Sequence, residues 1–322
     1  MNSLLYIISL VGVTVQVLLK RLLGYKKYPN WSVKTEIIWA TSRMTLLASN
    51  KYGLLWLKRI SQKFMPKPTL KKQINIDHNS IKGINYIKVT PHAIADSNKT
   101  VVYFNGGGYT LGSPEASLEF ITRLSIALKT VILIPEYPTA PEAEYPKAQI
   151  ACLNFVREIM KDCDNLILAG DSAGAALALS TFKNLNTTER KNIHGTVLIS
   201  PWVDPLSEIG SINYNNDNDI GDRTFVTNCY KLYLGNKMES SDYPMSFNVD
   251  NIPQLPKTFI GVGSAEILLD QTEALKTELI KNSTPTRYKL YPNMFHTFWN
   301  FSPTIPEASQ LIDDISSWMT ND

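Results

Sequence analysis

Asn165-Leu166-Ile167-Leu168-Ala169-Gly170-Asp171-Ser172-Ala173-Gly174 is followed directly by Ala175-Ala176-Leu177-Ala178-Leu179. An apolar run ends in G-D-S-A-G, and a small, helix-prone run begins. This is the G-x-S-x-G nucleophile elbow: strand, sharp turn, helix, with the serine at the tip. Gly170 and Gly174 lack a Cβ, so strand and helix can approach closely around a strained turn. The new helix points its free N–H groups and positive dipole end at Ser172. Negative charge developing beside that serine would be stabilised there.

A second glycine motif lies upstream. Lys99-Thr100-Val101-Val102-Tyr103-Phe104 reads as a buried strand and runs into Asn105-Gly106-Gly107-Gly108-Tyr109. Acyl-transfer enzymes with the elbow need a further supply of N–H donors from a glycine-rich loop after an earlier strand. Alone, three glycines would be a flexible turn. Placed before the elbow in this order, they read as a loop whose backbone amides face an oxyanion: Gly107 and Gly108 donating together with Ala173, and Gly106 shaping the turn.

From about residue 74 strands and helices alternate. Strands are expected at Gly83–Val89, Thr100–Phe104, Val131–Tyr137, Leu166–Ala169, Gly195–Ser200, Thr258–Val262 and Arg287–Tyr291. Helices fit near 114–128, 146–161, 173–185, 271–281 and 305–319, the first opening on Ser113-Pro114. Such alternation implies an α/β fold: a mostly parallel central sheet with helices on both faces. Function in such sheets sits at the carboxyl ends of strands. Ser172, the glycine loop, Glu266 and His296 all fall just after expected strands.

A serine hydroxyl is a poor nucleophile until a base takes its proton. His296, in Met294-Phe295-His296-Thr297-Phe298 after the last expected strand, suits that task, because elbow chemistry runs in the order serine, acid, histidine. For the acid, Glu266 and Asp270 compete. Asp270 begins D-x-x-E before a helical run, which is a helix N-cap pattern. Glu266 has no such structural duty and follows the strand Thr258–Val262 closely, so it is favoured. Asp171, Asp204 and Glu142 read as structural.

These stretches resemble the hormone-sensitive-lipase-like branch of the α/β-hydrolases, which includes arylacetamide deacetylases and fungal steryl acetyl hydrolases. The resemblance rests on Phe104 to Tyr109, Pro135 to Glu142 with Tyr145-Pro146, Gly170 to Gly174, Ser200-Pro201-Trp202-Val203-Asp204, Gly263 to Asp270, and Phe295 to Phe298. It covers about residues 80–320. It implies the α/β-hydrolase fold with a helical cap, a Ser172–His296–Glu266 triad, and hydrolysis of short acyl esters, acetyl above all, of lipophilic alcohols such as sterols. Two positions depart from the family pattern. Asn105 stands where the glycine loop usually begins with His, and Glu266 where the acid is usually Asp; both Asp and Glu serve this fold. The alternatives are an amidase or deacetylase with the same machinery, and a receptor that has lost catalysis. The complete serine, acid, histidine and glycine loop argue against the receptor.

The rest of the chain bounds the reading. At 322 residues it can hold one large core and a small cap. A net charge of +3 without a long basic run gives no sign of nucleic acid. Cys152, Cys163 and Cys229 lack metal spacing, and four histidines show no paired pattern, so neither metal nor cofactor is expected. One disulfide with one free thiol stays open.

Ser3 to Leu19 is almost wholly apolar and is followed by Lys20, Arg21, Lys26 and Lys27. Residues 1–23 read as a retained membrane anchor, ahead of a cleaved signal or a surface helix. The basic flank would keep the bulk in the cytosol. The resemblance instead implies an endoplasmic-reticulum anchor with a lumenal catalytic domain. Sequons at Asn30, Asn98, Asn186, Asn282 and Asn300 do not decide this, because the Asn, Ser and Thr content supplies about that many by chance. Residues 24–75 read as amphipathic cap helices ended by Pro66 and Pro68, residues 76–322 as the core. An insertion at about 204–257, polar over Asn213 to Asp222 and helical over Thr224 to Leu234, forms the second part of the cap. A Trp- and Leu-rich cap suits a small lipophilic ester.

Overall fold

Strand β5 (Asn165–Asp171) is flanked on both sides and buried from Leu166 onward, which is why its sequence is a continuous apolar run rather than an alternation. The structure, a computed structural model, describes residues 1–63, 67–94, 99–243, 245–247 and 252–320. Pro66 and the sequon Asn98 lie outside them.

Eight strands form one sheet: β1 (Ile74–Ile81), β2 (Ile84–Pro91), β3 (Lys99–Phe104), β4 (Val131–Pro135), β5, β6 (Ile193–Ile199), β7 (Thr258–Gly263) and β8 (Thr286–Tyr291). Their spatial order is β1-β2-β4-β3-β5-β6-β7-β8. The β1–β2 and β2–β4 pairs are antiparallel, and every other pair is parallel. All seven expected strands exist. The strand expected to reach Tyr137 stops at Pro135, and β1 was not expected at all. It begins at Ile74, inside the segment read as cap, and its middle residues are exposed polar groups on a sheet edge.

Strand periodicity divides the core. Val102 and Phe104 of β3 face one way, against α5 (Lys147–Ile159), α6 (Ala173–Asn184) and α10 (Leu269–Lys281). Val101 and Tyr103 face the other, against α4 (Leu118–Leu128) and α11 (Pro306–Thr320). Each fully buried aliphatic or aromatic side chain contributes roughly 1.5–3 kcal/mol. Helix α6 follows the elbow with Ala173 to Thr181 all buried; small residues let it lie close on the sheet.

Three helices precede the sheet: α1 (Ser3–Leu22), α2 (Val33–Tyr52) and α3 (Leu54–Lys63). Between β6 and β7, where the insertion was expected, stand α8 (Ser211–Tyr214) and α9 (Arg223–Leu234); the single turn α7 (Thr187–Arg190) precedes β6. Helices α2 and α9 touch, joining the N-terminal helices to the insertion. Among the described residues none of the three cysteines is in a disulfide, so the one left open above does not form.

Candidate active site

The turn after β5 puts Ser172 at φ +54°, ψ −123°, a conformation that costs roughly 1–3 kcal/mol for a residue with a Cβ. It persists because its surroundings fix it. The Ser172 N–H donates to the Ile199 carbonyl at 2.9 Å, and the Ser172 carbonyl accepts from Ala175 and Trp202. Gly174 is required here: a Cβ on it would stand 1.9 Å from the Phe104 carbonyl oxygen. The absent side chain lets the glycine loop approach the elbow.

That loop is shaped by side chains at its base. The Gly106 N–H donates to Asp171 Oδ1 at 2.9 Å, and the Tyr103 hydroxyl donates to the same oxygen at 2.7 Å. Asp171 is therefore the structural residue the sequence implied. Burial raises its pKa, while the bonds from Tyr103 and Gly106 oppose the rise. Asn105, in the place of the family's His, donates from Nδ2 to the Gly106 carbonyl at 3.1 Å. Gly106 thus spends its N–H on Asp171. Among the described residues no hydrogen bond engages the N–H of Gly107, Gly108 or Ala173. Gly107 sits at φ +123°, where a Cβ would also stand 2.3 Å from the Gly112 nitrogen.

Glu266 follows β7 and is fully buried. Its Oε2 lies 2.8 Å from His296 Nδ1. Its Oε1 accepts from the Gly263 N–H at 2.6 Å and from the Ser200 hydroxyl at 2.7 Å. The carboxylate thus has donors on both oxygens, which a buried charge requires. Asp270 is not the N-cap expected of it. Helix α10 starts at Leu269, two residues before the expected start, and Asp270 instead accepts from the Ser211 N–H at 2.9 Å and the Tyr214 hydroxyl at 2.5 Å, tying α8 to the core. Glu273 pairs with Lys276 and Tyr288 rather than reaching back.

Sequence reading missed a second carboxylate. Asp219, fully buried, accepts from the His296 N–H at 2.7 Å, the Ile220 N–H at 2.7 Å and the Ile267 N–H at 2.8 Å. It holds the histidine loop and the residue after Glu266 together. Burial and the nearby Glu266 charge push its pKa up to about 6, against the pull of His296 and its backbone donors. For His296, burial lowers the pKa. The Glu266 hydrogen bond and the charges of Glu266, Asp219 and Asp171 outweigh that, and the net shift is upward.

Ser172, His296, Gly107 and Gly108 line one cavity enclosing about 660 Å³, its open mouth included. No hydrogen bond joins the serine hydroxyl to His296 among the described residues; such bonds are often long until substrate is bound. The remaining walls are mostly apolar: Leu46 from α2, Phe225 and Val226 from α9, Trp202 just after β6 and Ile220 from the insertion, with Asp171, Asp219 and Thr297 as the polar exceptions. The described residues contain no cluster of His, Cys, Asp and Glu able to hold a metal ion.

A family model for the alpha/beta hydrolase fold matches residues 101–300, spanning every residue singled out above except Leu46. The chain belongs to the α/β-hydrolase family. Among curated relatives, an esterase of Acinetobacter venetianus is 28% identical over 71% of this chain and 77% of its own. An acetyl-hydrolase of Streptomyces hygroscopicus is 30% identical over 67% of this chain and 73% of its own. In fold, this α/β-hydrolase is similar to a mutant esterase at TM-score 0.80, with 22% identity, covering 92% of this chain and 98% of that one. A hormone-sensitive-lipase homologue from a metagenome library superposes at TM-score 0.74, with 23% identity over 88% and 96% of the two chains.

Proposed function

We propose that this α/β-hydrolase is a serine carboxylesterase. The observation that carries the reading is the His296 Nδ1 to Glu266 Oε2 contact of 2.8 Å, with His296 and Ser172 lining one cavity. With Nδ1 engaged by the carboxylate, Nε2 is the nitrogen left to take the Ser172 proton. Ser172 Oγ attacks the ester carbonyl as His296 accepts its proton. The N–H groups of Gly107, Gly108 and Ala173 receive the developing oxyanion. His296 returns the proton to the departing alcohol. Water then attacks the acyl-serine by the same steps in reverse order, releasing the acid and free enzyme.

The substrate in this proposal is a short acyl ester, acetyl above all, of a lipophilic alcohol such as a sterol. The apolar walls suit such an alcohol, and one relative is named as an acetyl-hydrolase. The arylacetamide deacetylase and steryl acetyl hydrolase resemblance supports the same choice. Attachment to a membrane through α1 belongs to the proposal. So does an endoplasmic-reticulum lumenal site, which rests on that resemblance alone; the curated relatives named above are bacterial.

The test is turnover of an aryl acetate, the matching butyrate and longer esters, a steryl acetate and the matching aryl acetamide, each by wild type and Ser172→Ala. Acetate esters should be fastest, and the alanine variant should lose about 10⁴-fold or more in turnover. Preference for long acyl chains would make the enzyme a lipase, and preference for the acetamide an amidase. Undiminished ester turnover by Ser172→Ala would sink the mechanism itself.

A further inference from the structure

Helix α1 is apolar on every side, as a helix buried all round would be, yet only one side is covered. Its inner line of Tyr6, Leu10, Val13, Val17 and Arg21 is at least half-buried, against α2. Its outer side leaves Leu4, Ile8, Val11, Val15, Leu19 and Leu22 between 47% and 82% exposed. A continuous apolar strip of this kind marks an interaction or membrane site.

By length and composition α1 could cross a bilayer. Its contacts oppose that. At one end the Met1 carbonyl accepts from Trp56 Nε1 at 2.8 Å, and Ser3 Oγ accepts from Lys63 Nζ at 3.1 Å. Near the first turns, the Tyr6 hydroxyl meets Thr45 Oγ1 at 3.0 Å. At the other end Arg21 pairs with Glu36 at 2.5 Å and donates to the Trp31 carbonyl at 2.8 Å. Both ends of a rod of about 30 Å are thus fastened to one protein surface. A spanning helix would have to break all of these and take Arg21 away from Glu36.

The charge distribution names what covers the outer side. Residues 1–76 hold 13 Lys and Arg against a single acidic residue, Glu36, while residues 77–322 hold 19 against 28 Asp and Glu. Lys20 and Lys26 stand exposed at one end of α1, and Lys63 contacts the other. Tyr25, 68% exposed beside Lys26, is the amphipathic kind of side chain that settles at a lipid headgroup level. A second copy of the chain on this strip would bring two strongly cationic regions together. An anionic lipid surface instead satisfies strip and charge at once.

We infer that α1 lies flat in one leaflet of an anionic bilayer, its outer side in lipid and its inner side still on α2. This goes beyond the esterase reading and does not depend on it, because vesicle binding needs no turnover. The α2 wall of the pocket would then stand one helix away from the lipid, since Leu46 on α2 lines it.

The test uses the full-length chain and vesicles of phosphatidylcholine with and without phosphatidylglycerol. Binding should be at least about tenfold tighter to the anionic vesicles, and the difference should vanish in high salt. An environment-sensitive label is then placed at Leu4→Cys, Ile8→Cys, Val15→Cys and Leu19→Cys in a Cys163→Ser background. Quenchers at known depths in the lipid should find all four at one shallow depth. Ile8→Asp and Val15→Asp should each weaken binding at least about tenfold while short-ester hydrolysis stays at the wild-type rate. A depth gradient with its deepest point mid-helix would mean a spanning anchor. Failure to bind either vesicle, or labels shielded in a lipid-free dimer, would equally overturn the inference.

Discussion

Asp219 and Glu266 press two carboxylates against one histidine loop, and the residues divide the work between them. Glu266 touches the ring, whereas Asp219 touches the backbone beneath it. In the proposed mechanism the base must be neutral, so activity should be lost as pH falls through the His296 pKa. With that pKa raised, the acid limb of kcat/KM should lie above pH 6.5, the ordinary value for histidine. Asp219→Asn removes one negative charge near the ring and should move that limb to lower pH. It also turns an amide N–H₂ toward a backbone N–H and so costs about 1–3 kcal/mol of stability. A pH–rate series with a denaturation curve separates the two effects: a purely structural role would lower the midpoint and leave the limb in place. Glu266→Gln keeps the shape but removes the charge that stabilises imidazolium, and should lower kcat by about 10³–10⁴. The placement of Ser172, Glu266, His296 and the glycine loop beside strand ends was legible because each lies in a readable motif. Asp219 was not. It lies within Asn213 to Asp222, a run as polar as any surface loop, and only the tertiary fold carries it under His296.

Among elements, the elbow is the least tolerant. Gly174→Ala sets a methyl group 1.9 Å from the Phe104 carbonyl oxygen, on two segments of backbone that cannot swing aside. The variant should lose about 3 kcal/mol or more, read as a shifted midpoint in urea with an unchanged slope, or fail to accumulate as folded protein. The parallel strands β3 to β7 were visible as apolar runs because both their faces are covered, whereas β8 lies at the other edge and carries Arg287 and Lys289 between its apolar residues. Strand β1 escaped for the opposite reason. Ile74-Asn75-Ile76-Asp77-His78-Asn79-Ser80-Ile81 sits on the edge with one partner, and its centre is polar. The start of α10 was misplaced because D-x-x-E describes a cap in isolation. In the folded chain Asp270 is occupied by α8, an element 56 or more residues distant in sequence.

At the scale of the whole molecule, a basic helical layer sits on an acidic catalytic body, and within that layer a buried ion pair fastens α1 to α2. Arg21 and Glu36 are 10% and 7% exposed, so Arg21→Ala strands a buried carboxylate and should cost about 3–5 kcal/mol. Arg21→Ala with Glu36→Gln should recover most of that, a difference readable by thermal melting of both variants. The sequence announced the apolar α1 but could not say whether it stands away from the body or lies on it; the contacts of Tyr6, Arg21 and Trp56 are what separate those arrangements. The α2 and α9 helices complete the pocket over the elbow, which is why its walls are mostly apolar although the loops around them are not.

The central claim is that Ser172 becomes acylated with His296 as its base. The direct measurement is mass spectrometry of the intact protein and its peptides, quenched in acid during turnover of an aryl acetate. The account predicts one acetyl group per chain, on the peptide carrying Ser172, absent from Ser172→Ala and strongly reduced in His296→Ala. Turnover without any acyl-protein, or acetyl found on another residue and kept in Ser172→Ala, would contradict it.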